Sequence, residues 1–275
     1  MVTGKYALIG YPLGYSLSPA LHNNFFEKEN ISAAYEAKAL LETEIESFVK
    51  AKEYTGFNVT IPYKETIIPY LDRITSTAHE IGAVNTVKLV DNAYIGDNTD
   101  AGGFGLMLKE DLGINMQGMR VLLLGAGGAA KAISYRALKD ECRELLVFDT
   151  SLDKTESLLA RYSSYKQIKA LNSLQSITPF YPQIDMVINA TPVGMKDNSS
   201  ILNSEEINLL PKTAYVIDII YSPLETPLLK IAREFGLKTL NGVGMLAGQG
   251  ILGEKLWFNK SLSYQEAKAI ISHGL

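Results

Sequence analysis

The sequence predicts an α/β protein of two domains, the second of which contains a parallel sheet. Short apolar runs alternate with amphipathic stretches from one end of the chain to the other, which is the pattern of α/β proteins. The runs at residues 121–124 and 145–148 are continuously apolar, as parallel strands buried on both faces are. A glycine-rich turn follows the first of these runs and precedes an amphipathic stretch.

Composition and charge limit the classes of protein to which the chain can belong. Its 275 residues are 47% hydrophobic and 20% charged, which allows a full-sized core in one large domain or two ordinary ones. The net charge of −4 leaves no basic face to neutralise phosphates, so we expect no nucleic-acid partner. The single Cys142 excludes a disulfide framework and indicates a reducing, cytoplasmic compartment.

Neither a membrane nor a metal is expected. The first ten residues enter a strand-like run without the basic and apolar regions of a signal peptide. No apolar stretch approaches the ~20 residues that span a bilayer. The three histidines, His22, His79 and His273, lie far apart and lack the spacing of metal ligands.

The first half is expected to contain strands at residues 5–10, 34–39, 56–61, 83–90 and 94–96. A helix follows the first strand to about residue 29, with Ser18 as its N-cap and Pro19 at its first helical position. Asp91 and Asn92 form the hairpin turn between the last two strands. Another helix begins at Thr99 or Asp100 and ends at Gly113.

The second half has a more regular pattern. Strands are predicted at residues 121–124, 145–148, 186–189, 216–219 and 238–240, alternating with helices near 129–139, 154–162 and 227–235. Two further helices, near 245–257 and 263–272, make the tail. We therefore predict an N-terminal α/β domain over residues 1–105 and a second domain over 106–240, with C-terminal helices in 241–275 returning to the first domain.

The glycine turn has the features of a Rossmann dinucleotide-binding site. Gly125, Gly127 and Ala130 fit the pattern G-x-G-x-x-G/A between a strand and a helix. The first glycine permits the turn, the second lets the backbone approach a pyrophosphate, and the small third residue lets the helix pack on the strand. The residues predicted to contact the cofactor here are Gly125, Ala126, Gly127, Gly128 and Ala129.

Asp149 bears on which dinucleotide is bound. It ends the next strand about 20 residues after the turn, where acids that bind the adenosine ribose are found. A carboxylate there accepts hydrogen bonds from both ribose hydroxyls and repels a 2′-phosphate. No arginine follows it directly, and Lys154 lies a helical turn further along. These residues favour NAD.

Four clusters of small polar side chains occupy the first half, at residues 15–19, 57–64, 83–86 and 98–100. Each follows or ends a predicted strand. Ligands of open α/β sheets bind beyond the carboxyl ends of the strands. Hydroxyls, amides, one lysine and one carboxylate that converge there suit a small polyhydroxylated anion. Taken singly, Ser18 and Asp100 could equally be helix caps and Lys64 a solvated surface lysine.

The motifs, taken in order, resemble the shikimate dehydrogenase family over nearly the whole chain. The matching stretches are Gly10-Tyr-Pro12, Ser16-Leu-Ser18-Pro19, His22-Asn23 and residues 56–64, 82–86, 96–100, 125–128, 189–195, 218–223, 226–229, 241–245 and 249–250. The resemblance implies interconversion of 3-dehydroshikimate and shikimate with a nicotinamide cofactor, in the route to chorismate and aromatic amino acids. It implies a small-molecule substrate as the partner of a monomer or homodimer.

The resemblance also assigns roles to single residues. Lys64 and Asp100 would form the catalytic pair. Ser16 and Ser18 would bind the substrate carboxylate, with Tyr221 nearby. The remaining substrate-binding residues would be Asn58, Thr60, Asn85 and Gln249, and Asp100 would also bind a ring hydroxyl. Thr191, Gly242 and Met245 would line the nicotinamide side.

The chemistry supports the catalytic pair independently. Hydride that reaches a ring carbonyl leaves an alkoxide in need of a proton. An ammonium such as Lys64, fixed by Asp100, supplies both the charge and the proton.

The sequence departs from the family pattern in two places. The family usually has Asn-Arg-Thr after the second Rossmann strand, with the arginine on the 2′-phosphate of NADP, whereas this chain has Asp149-Thr150-Ser151. The resemblance thus implies NADP, while Asp149 and the missing arginine favour NAD. In the stretch 189–195, Pro192 stands where the family has serine.

Three other interpretations stand beside this one. The first is an NAD-dependent quinate/shikimate dehydrogenase, which Asp149 favours. Another is a non-catalytic dinucleotide-binding regulator, against which the presence of both Lys64 and Asp100 argues. The third, a methylene-tetrahydrofolate-type dehydrogenase, gives no reason for the pair Ser16 and Ser18.

Overall fold

The computed structural model of the chain describes residues 4–14 and 16–275 and divides into two compact units. The first unit comprises Met1–Met107 together with Ala247–Leu275, and the second comprises Leu108–Leu246. Tyr15, the first residue of the first polar cluster, lies outside the described residues. Among the residues described, no helix is both long and apolar enough to cross a membrane.

The first unit is built on a mixed sheet of six strands. They are β1 (Gly4–Gly10), β2 (Ala33–Ala39), β3 (Gly56–Val59), β4 (Arg73–Ile74), β5 (Thr86–Val90) and β6 (Ala93–Asp97). Their order across the sheet is β2-β1-β3-β5-β6-β4. Strands β1, β2 and β3 are parallel, whereas β5 is antiparallel to both β3 and β6.

This topology brings the polar clusters to one edge of the sheet. The carboxyl ends of β1, β3 and β6 lie at the same edge as the start of β5. Asn58 pairs in register with Thr86, which in turn pairs with Asp97. The residues just beyond these three positions therefore emerge side by side.

Four helices of this unit precede the second one: α1 (Ser18–Lys28), α2 (Ile45–Ala51), α3 (Ser76–Ile81) and α4 (Asp100–Met107). The predicted hairpin turn is confirmed, because Asp91 and Asn92 have φ angles of 48° and 61°, as a tight hairpin turn requires. The predicted end of the fourth helix is also confirmed. A π-helical turn, Leu108–Leu112, follows α4, and Gly113 then adopts a φ of 69°.

The second unit has an all-parallel sheet of six strands. They are β7 (Arg120–Leu124), β8 (Glu144–Phe148), β9 (Ile168–Leu171), β10 (Met186–Asn189), β11 (Tyr215–Asp218) and β12 (Lys238–Leu240). Its helices are α5 (Gly128–Lys139), α6 (Leu152–Arg161), α7 (Ser204–Asn208) and α8 (Pro227–Glu234). The strand order β12-β11-β10-β7-β8-β9 is that of a Rossmann domain, with its switch point between β7 and β10.

Burial explains why the pattern of apolar strands and amphipathic helices is more regular in the second half of the sequence. All four residues of β10 are buried, as are residues 121–124 of β7. Helix α8 buries one face, with Leu228, Leu229 and Ala232, whereas α5 is buried on all sides over residues 130–134. The predicted parallel sheet is therefore confirmed.

The last two helices are α9 (Val243–Phe258) and α10 (Tyr264–His273), and the chain belongs to the first unit again from Ala247 onward. Trp257 donates a hydrogen bond from Nε1 to the carbonyl oxygen of Val87 in β5 at 2.9 Å. His22 of α1 and Glu254 of α9 form a fully buried pair at 3.1 Å. These contacts fix α9 against the sheet and so place its Gln249 in the first unit.

Candidate active site

Lys64 and Asp100 form an ion pair at the carboxyl edge of the first sheet. The Nζ atom of Lys64 lies 2.6 Å from Oδ2 of Asp100, and their side chains are only 17% and 6% exposed. The turn that contains Lys64 is fixed by a hydrogen bond from the N–H of Val84 to the carbonyl oxygen of Lys64 at 2.7 Å. Asp100 begins α4, where the helix dipole favours a negative charge.

Asn85 binds the other oxygen of this carboxylate. Its Nδ2 donates to Oδ1 of Asp100 at 2.8 Å and approaches Oε1 of Gln249 at 3.3 Å. Its Oδ1 accepts from the N–H of Thr99 at 2.7 Å. Asn85 thereby links the ion pair to α9, and the structure brings four of the predicted site residues into one hydrogen-bonded group.

Asn58 of β3 is hydrogen-bonded to the group formed by Lys64, Asp100, Asn85 and Gln249. Only 4% of this residue is exposed. Its Nδ2 donates to the carbonyl oxygen of Asn85 at 3.2 Å and to Oγ1 of Thr86 at 2.9 Å, while its Oδ1 accepts from the hydroxyl of Tyr35. Every polar atom of the Asn58 amide is thus bonded to the protein.

Thr60 follows β3 and packs over the end of β1. A Cβ added at Gly10 would lie 2.6 Å from Cγ2 of Thr60, so the close approach requires glycine at that position. The N–H of Thr60 donates to the carbonyl oxygen of Ile9 at 2.9 Å.

The prediction that Ser18 caps α1 is wrong by one residue. The helix begins at Ser18 itself, preceded by Leu17, and Pro19 occupies the second helical position. Leu17 is buried and already has helical φ and ψ angles of −88° and −6°, so no extended cap residue precedes Ser18. Instead, Oγ of Ser16 accepts from the N–H of Ser18 at 3.3 Å.

The glycine turn of the second unit has the geometry that the sequence implied. Gly125 has a φ of 112°, and a Cβ there would lie 2.9 Å from the carbonyl oxygen of Ala190. Gly127, which precedes α5, has open space where a side chain would be. Ala130 is fully buried. The turn is therefore closed on its sheet side and open where a pyrophosphate could approach the N-terminus of α5.

Asp149 is fixed between this turn and the loop that follows β8. Its Oδ2 accepts from the N–H of Ala126 and its Oδ1 from the N–H of Ser151, both at 2.8 Å. Ser151 caps α6, which places Lys154 in the first turn of that helix. The carboxylate is half-buried, and each oxygen can accept one more hydrogen bond.

The residues assigned to the nicotinamide side, Thr191, Gly242 and Met245, follow the ends of β10 and β12. Oδ1 of Asn189 accepts from the N–H of Thr191 at 3.0 Å and from its hydroxyl at 2.6 Å. Gly242 lies so close to β11 that a Cβ would be 1.9 Å from the carbonyl oxygen of Ile219. Met245 is buried. Burial raises the pKa of the Tyr221 hydroxyl above its ordinary value.

Sequence comparisons identify both units. The family described as "Shikimate dehydrogenase substrate binding domain" matches residues 8–87, and the one described as "Shikimate / quinate 5-dehydrogenase" matches residues 107–222. A protein of Methanococcus maripaludis named shikimate dehydrogenase (NADP(+)) is 38% identical over 255 residues, covering 91% of this chain and 90% of the relative. The chain belongs to the shikimate dehydrogenase family.

Solved structures of shikimate dehydrogenases share the fold. The Thermus thermophilus enzyme, in complex with NADP(H) and shikimate, superposes with a TM-score of 0.89 at 31% identity, covering 99% of this chain and 100% of that one. The Listeria monocytogenes enzyme, in complex with shikimate and NAD, gives a TM-score of 0.88 at 33% identity over 98% and 96% of the two chains. Relatives in this family are thus found with either dinucleotide.

Several residues that support the dehydrogenase site were missed by sequence reasoning. Thr86 and Thr99 lie inside recognised motifs, but nothing in the motifs showed that their hydroxyls meet at 3.1 Å. Asp218 is fully buried and accepts from Asn189 and Thr226 at 3.1 and 2.7 Å. Tyr35 belongs to no motif at all. Knowledge of the strand register would have been needed to find these contacts.

Proposed function

We propose that the protein catalyses the reversible reduction of 3-dehydroshikimate to shikimate with a nicotinamide dinucleotide, in the route to chorismate and aromatic amino acids. The observation that carries the proposal is the 2.6 Å ion pair of Lys64 and Asp100, with Asn85 on the second carboxylate oxygen. Membership of the shikimate dehydrogenase family supports it. The quinate alternative is not favoured, because the relatives cited above are named for shikimate.

The proton chemistry follows from the ion pair. The bound nicotinamide donates a hydride to the ring carbonyl carbon, or accepts it in the oxidative direction. As the carbonyl oxygen gains negative charge, the ammonium of Lys64 stabilises it and transfers a proton to it. Asp100 keeps the ammonium in place by accepting a hydrogen bond from one of its N–H groups. In the oxidative direction the neutral amine of Lys64 takes the hydroxyl proton back.

Neutral groups are proposed to bind the rest of the substrate. Ser16 and Ser18 suit the carboxylate, since hydroxyl and backbone N–H groups are good donors to an anion. Thr60, Asn85 and Gln249 suit the ring hydroxyls, to which amides and hydroxyls can both donate and accept. Asn85 also donates to Asp100, so this side chain serves both substrate binding and proton transfer, whereas Lys64 is assigned to proton transfer.

For the cofactor, we propose a preference for NAD over NADP. Two backbone N–H groups fix the carboxylate of Asp149 at 2.8 Å, so it cannot readily turn away from the ribose of a bound dinucleotide. The residues that follow, Thr150 and Ser151, offer no guanidinium to balance a 2′-phosphate. The relative of known structure with bound NAD supports the proposal, whereas relatives named for NADP(+) oppose it.

One experiment tests both parts. Initial rates are measured with shikimate and with quinate, each with NAD⁺ and with NADP⁺, by following the reduced cofactor. The proposal predicts shikimate-dependent reduction that is faster with NAD⁺ at low cofactor concentration. If shikimate leads to reduction of neither NAD⁺ nor NADP⁺, the proposed activity is rejected. A preference for NADP⁺ would reject only the cofactor assignment.

A further inference from the structure

Tyr35 lies on β2 and belongs to none of the short motifs of the sequence analysis, yet it is bonded to the active-site group. Its hydroxyl donates to Oδ1 of Asn58 at 2.6 Å. Its side chain is buried, and its ring packs on the imidazole of His22 with 4.5 Å between the centroids. Burial raises the pKa of Tyr35 well above its ordinary value, so the hydroxyl keeps its proton and remains a donor.

The Tyr35 hydroxyl fixes which way the Asn58 amide faces. With Oδ1 turned to Tyr35, Nδ2 donates to the carbonyl oxygen of Asn85 at 3.2 Å and to Oγ1 of Thr86 at 2.9 Å. A reversed amide would set Oδ1 against the carbonyl oxygen of Asn85, where two acceptors would meet without a proton. One orientation therefore satisfies all three neighbours.

The assignment of donors and acceptors extends from Asn58 through Thr86 and Asn85 to the carboxylate of Asp100. Because Thr86 accepts from Asn58, its single proton is left for Oδ1 of Asn85 or Oγ1 of Thr99, each 3.1 Å away. The N–H of Thr99 also donates to Oδ1 of Asn85, at 2.7 Å. Donors thus surround Oδ1, which turns Nδ2 of Asn85 toward Oδ1 of Asp100 at 2.8 Å.

We propose that Tyr35 is a positioning residue for the Lys64–Asp100 pair and acts through Asn58, Thr86 and Asn85. The inference rests on the proposed function, since it concerns the proton transfer assigned to that pair. The bonds from Tyr35 to Asn58 and from Asn58 to Thr86 have defined donors, and buried hydrogen bonds reinforce one another. Loss of the first donor leaves Oδ1 of Asn58 buried without a partner, and the bonds that orient Asn85 and Asp100 then loosen.

The variant Tyr35→Phe tests this by removing one hydroxyl while the packed ring remains. We expect kcat to fall about tenfold while KM for shikimate rises by no more than about threefold, since Asn85 is one of several groups proposed to bind the substrate, whereas the proton transfer depends on the Lys64–Asp100 pair itself. The matched control is Tyr94→Phe. Tyr94 is also fully buried and its hydroxyl donates to the carbonyl oxygen of Tyr54 at 2.8 Å, outside the chain of bonds. It should retain kcat within about twofold, although it loses the same kind of hydrogen bond.

Thr86 provides a second, independent pair of variants. Thr86→Val removes the hydroxyl that relays the bond, whereas Thr86→Ser keeps it and should restore most of kcat. The double variant Tyr35→Phe/Thr86→Val should lose little more than the worse single variant, because both changes break the same chain. Fully additive losses would overturn the inference.

A readout that needs no turnover separates this inference from the proposed function. In ¹⁵N-labelled protein, the side-chain amide protons of Asn85 should exchange with solvent at least about tenfold faster in Tyr35→Phe than in Tyr94→Phe. If wild type shows no shikimate-dependent reduction, the proposed function fails and this exchange rate alone decides the role of Tyr35. Unchanged exchange in Tyr35→Phe, or unchanged kcat in an active enzyme, would overturn the inference.

Discussion

The amine nitrogen of Lys64 lies 2.6 Å from Oδ2 of Asp100, and the amide of Asn85 occupies the other oxygen of that carboxylate at 2.8 Å. An ammonium has three N–H bonds, and the carboxylate takes one of them. The others can be directed to a substrate oxygen. Asp100 therefore orients the proton donor without consuming its capacity to donate.

This arrangement predicts the effect of Lys64→Ala. We expect kcat to fall by at least about 100-fold, the low end for loss of general acid–base catalysis, while KM for shikimate changes far less. The control is Lys50→Ala, which removes an exposed lysine paired with Glu46 on its own helix and should behave as wild type. Steady-state kinetics and a thermal melt of each variant provide the test. A near-normal kcat in Lys64→Ala would exclude this residue as the proton donor.

The corrected start of α1 changes what is expected of the two serines. Ser16→Ala removes the acceptor for the N–H of Ser18 and should lower the unfolding free energy by about 0.5–1 kcal/mol, as loss of a cap does. If both serines bind the carboxylate, KM for shikimate rises in Ser16→Ala and in Ser18→Ala alike. The melting temperature should fall further in Ser16→Ala than in Ser18→Ala. A normal KM in either variant removes that residue from the carboxylate site.

The fold was predictable from sequence wherever burial was strong. Residues 121–124 of β7, 145–148 of β8 and 186–188 of β10 are apolar and buried, as parallel strands covered on both faces are, and these apolar runs located the strands. The edge strand β9 has an exposed Lys169 and was not predicted. The short helices α2, α3 and α7 were missed as well, since fewer than eight residues give too little periodicity to recognise.

The composition of the site was easier to predict than its connections. Strand ends and motifs indicated Lys64, Asn85 and Asp100, but the hydrogen bonds among them depend on the register that pairs Asn58 with Thr86. Spacing along the sequence does not encode register between strands that are distant in the chain. Tyr35 reaches the site through the pairing of β2 with β1 and of β1 with β3, so no local signal distinguished it from a core tyrosine.

The buried Asp218 predicts a pH dependence of stability. Desolvation raises its pKa above the ordinary value of 3.8, although Asn189, Thr226 and the N–H of Ile220 donate to it. Because the folded state binds this proton more tightly than the unfolded state, the contribution is fully present at low pH. It is lost as the pH rises from about 3.8 through the raised value.

Urea unfolding over that pH range measures the effect. Asp218→Asn cannot ionise, so the unfolding free energy of wild type minus that of the variant should decrease as the pH rises. Other titrating groups are common to both proteins and cancel. The exposed Asp153→Asn serves as a control whose difference from wild type should lack this decrease. A difference for Asp218→Asn that rises with pH, or stays constant, would contradict the assignment.

The cofactor preference is the prediction on which sequence relatives and the residues themselves disagree most. Asp149 is fixed by the N–H groups of Ala126 and Ser151, and no arginine stands among residues 150–154, so a 2′-phosphate would meet an uncompensated carboxylate. Unit charges 4 Å apart at an effective dielectric of 20 interact by about 4 kcal/mol, and partial offset by the exposed Lys154 still leaves a penalty. Since about 1.4 kcal/mol is tenfold in affinity, NAD⁺ should have the higher kcat/KM in wild type.

Asp149→Asn/Thr150→Arg should shift the ratio of the two kcat/KM values toward NADP⁺ by at least about 100-fold. Asp153→Asn removes a nearby charge of the same sign and should shift it far less. A wild type that prefers NADP⁺ would reject the argument from Asp149 and leave the dehydrogenase activity untouched.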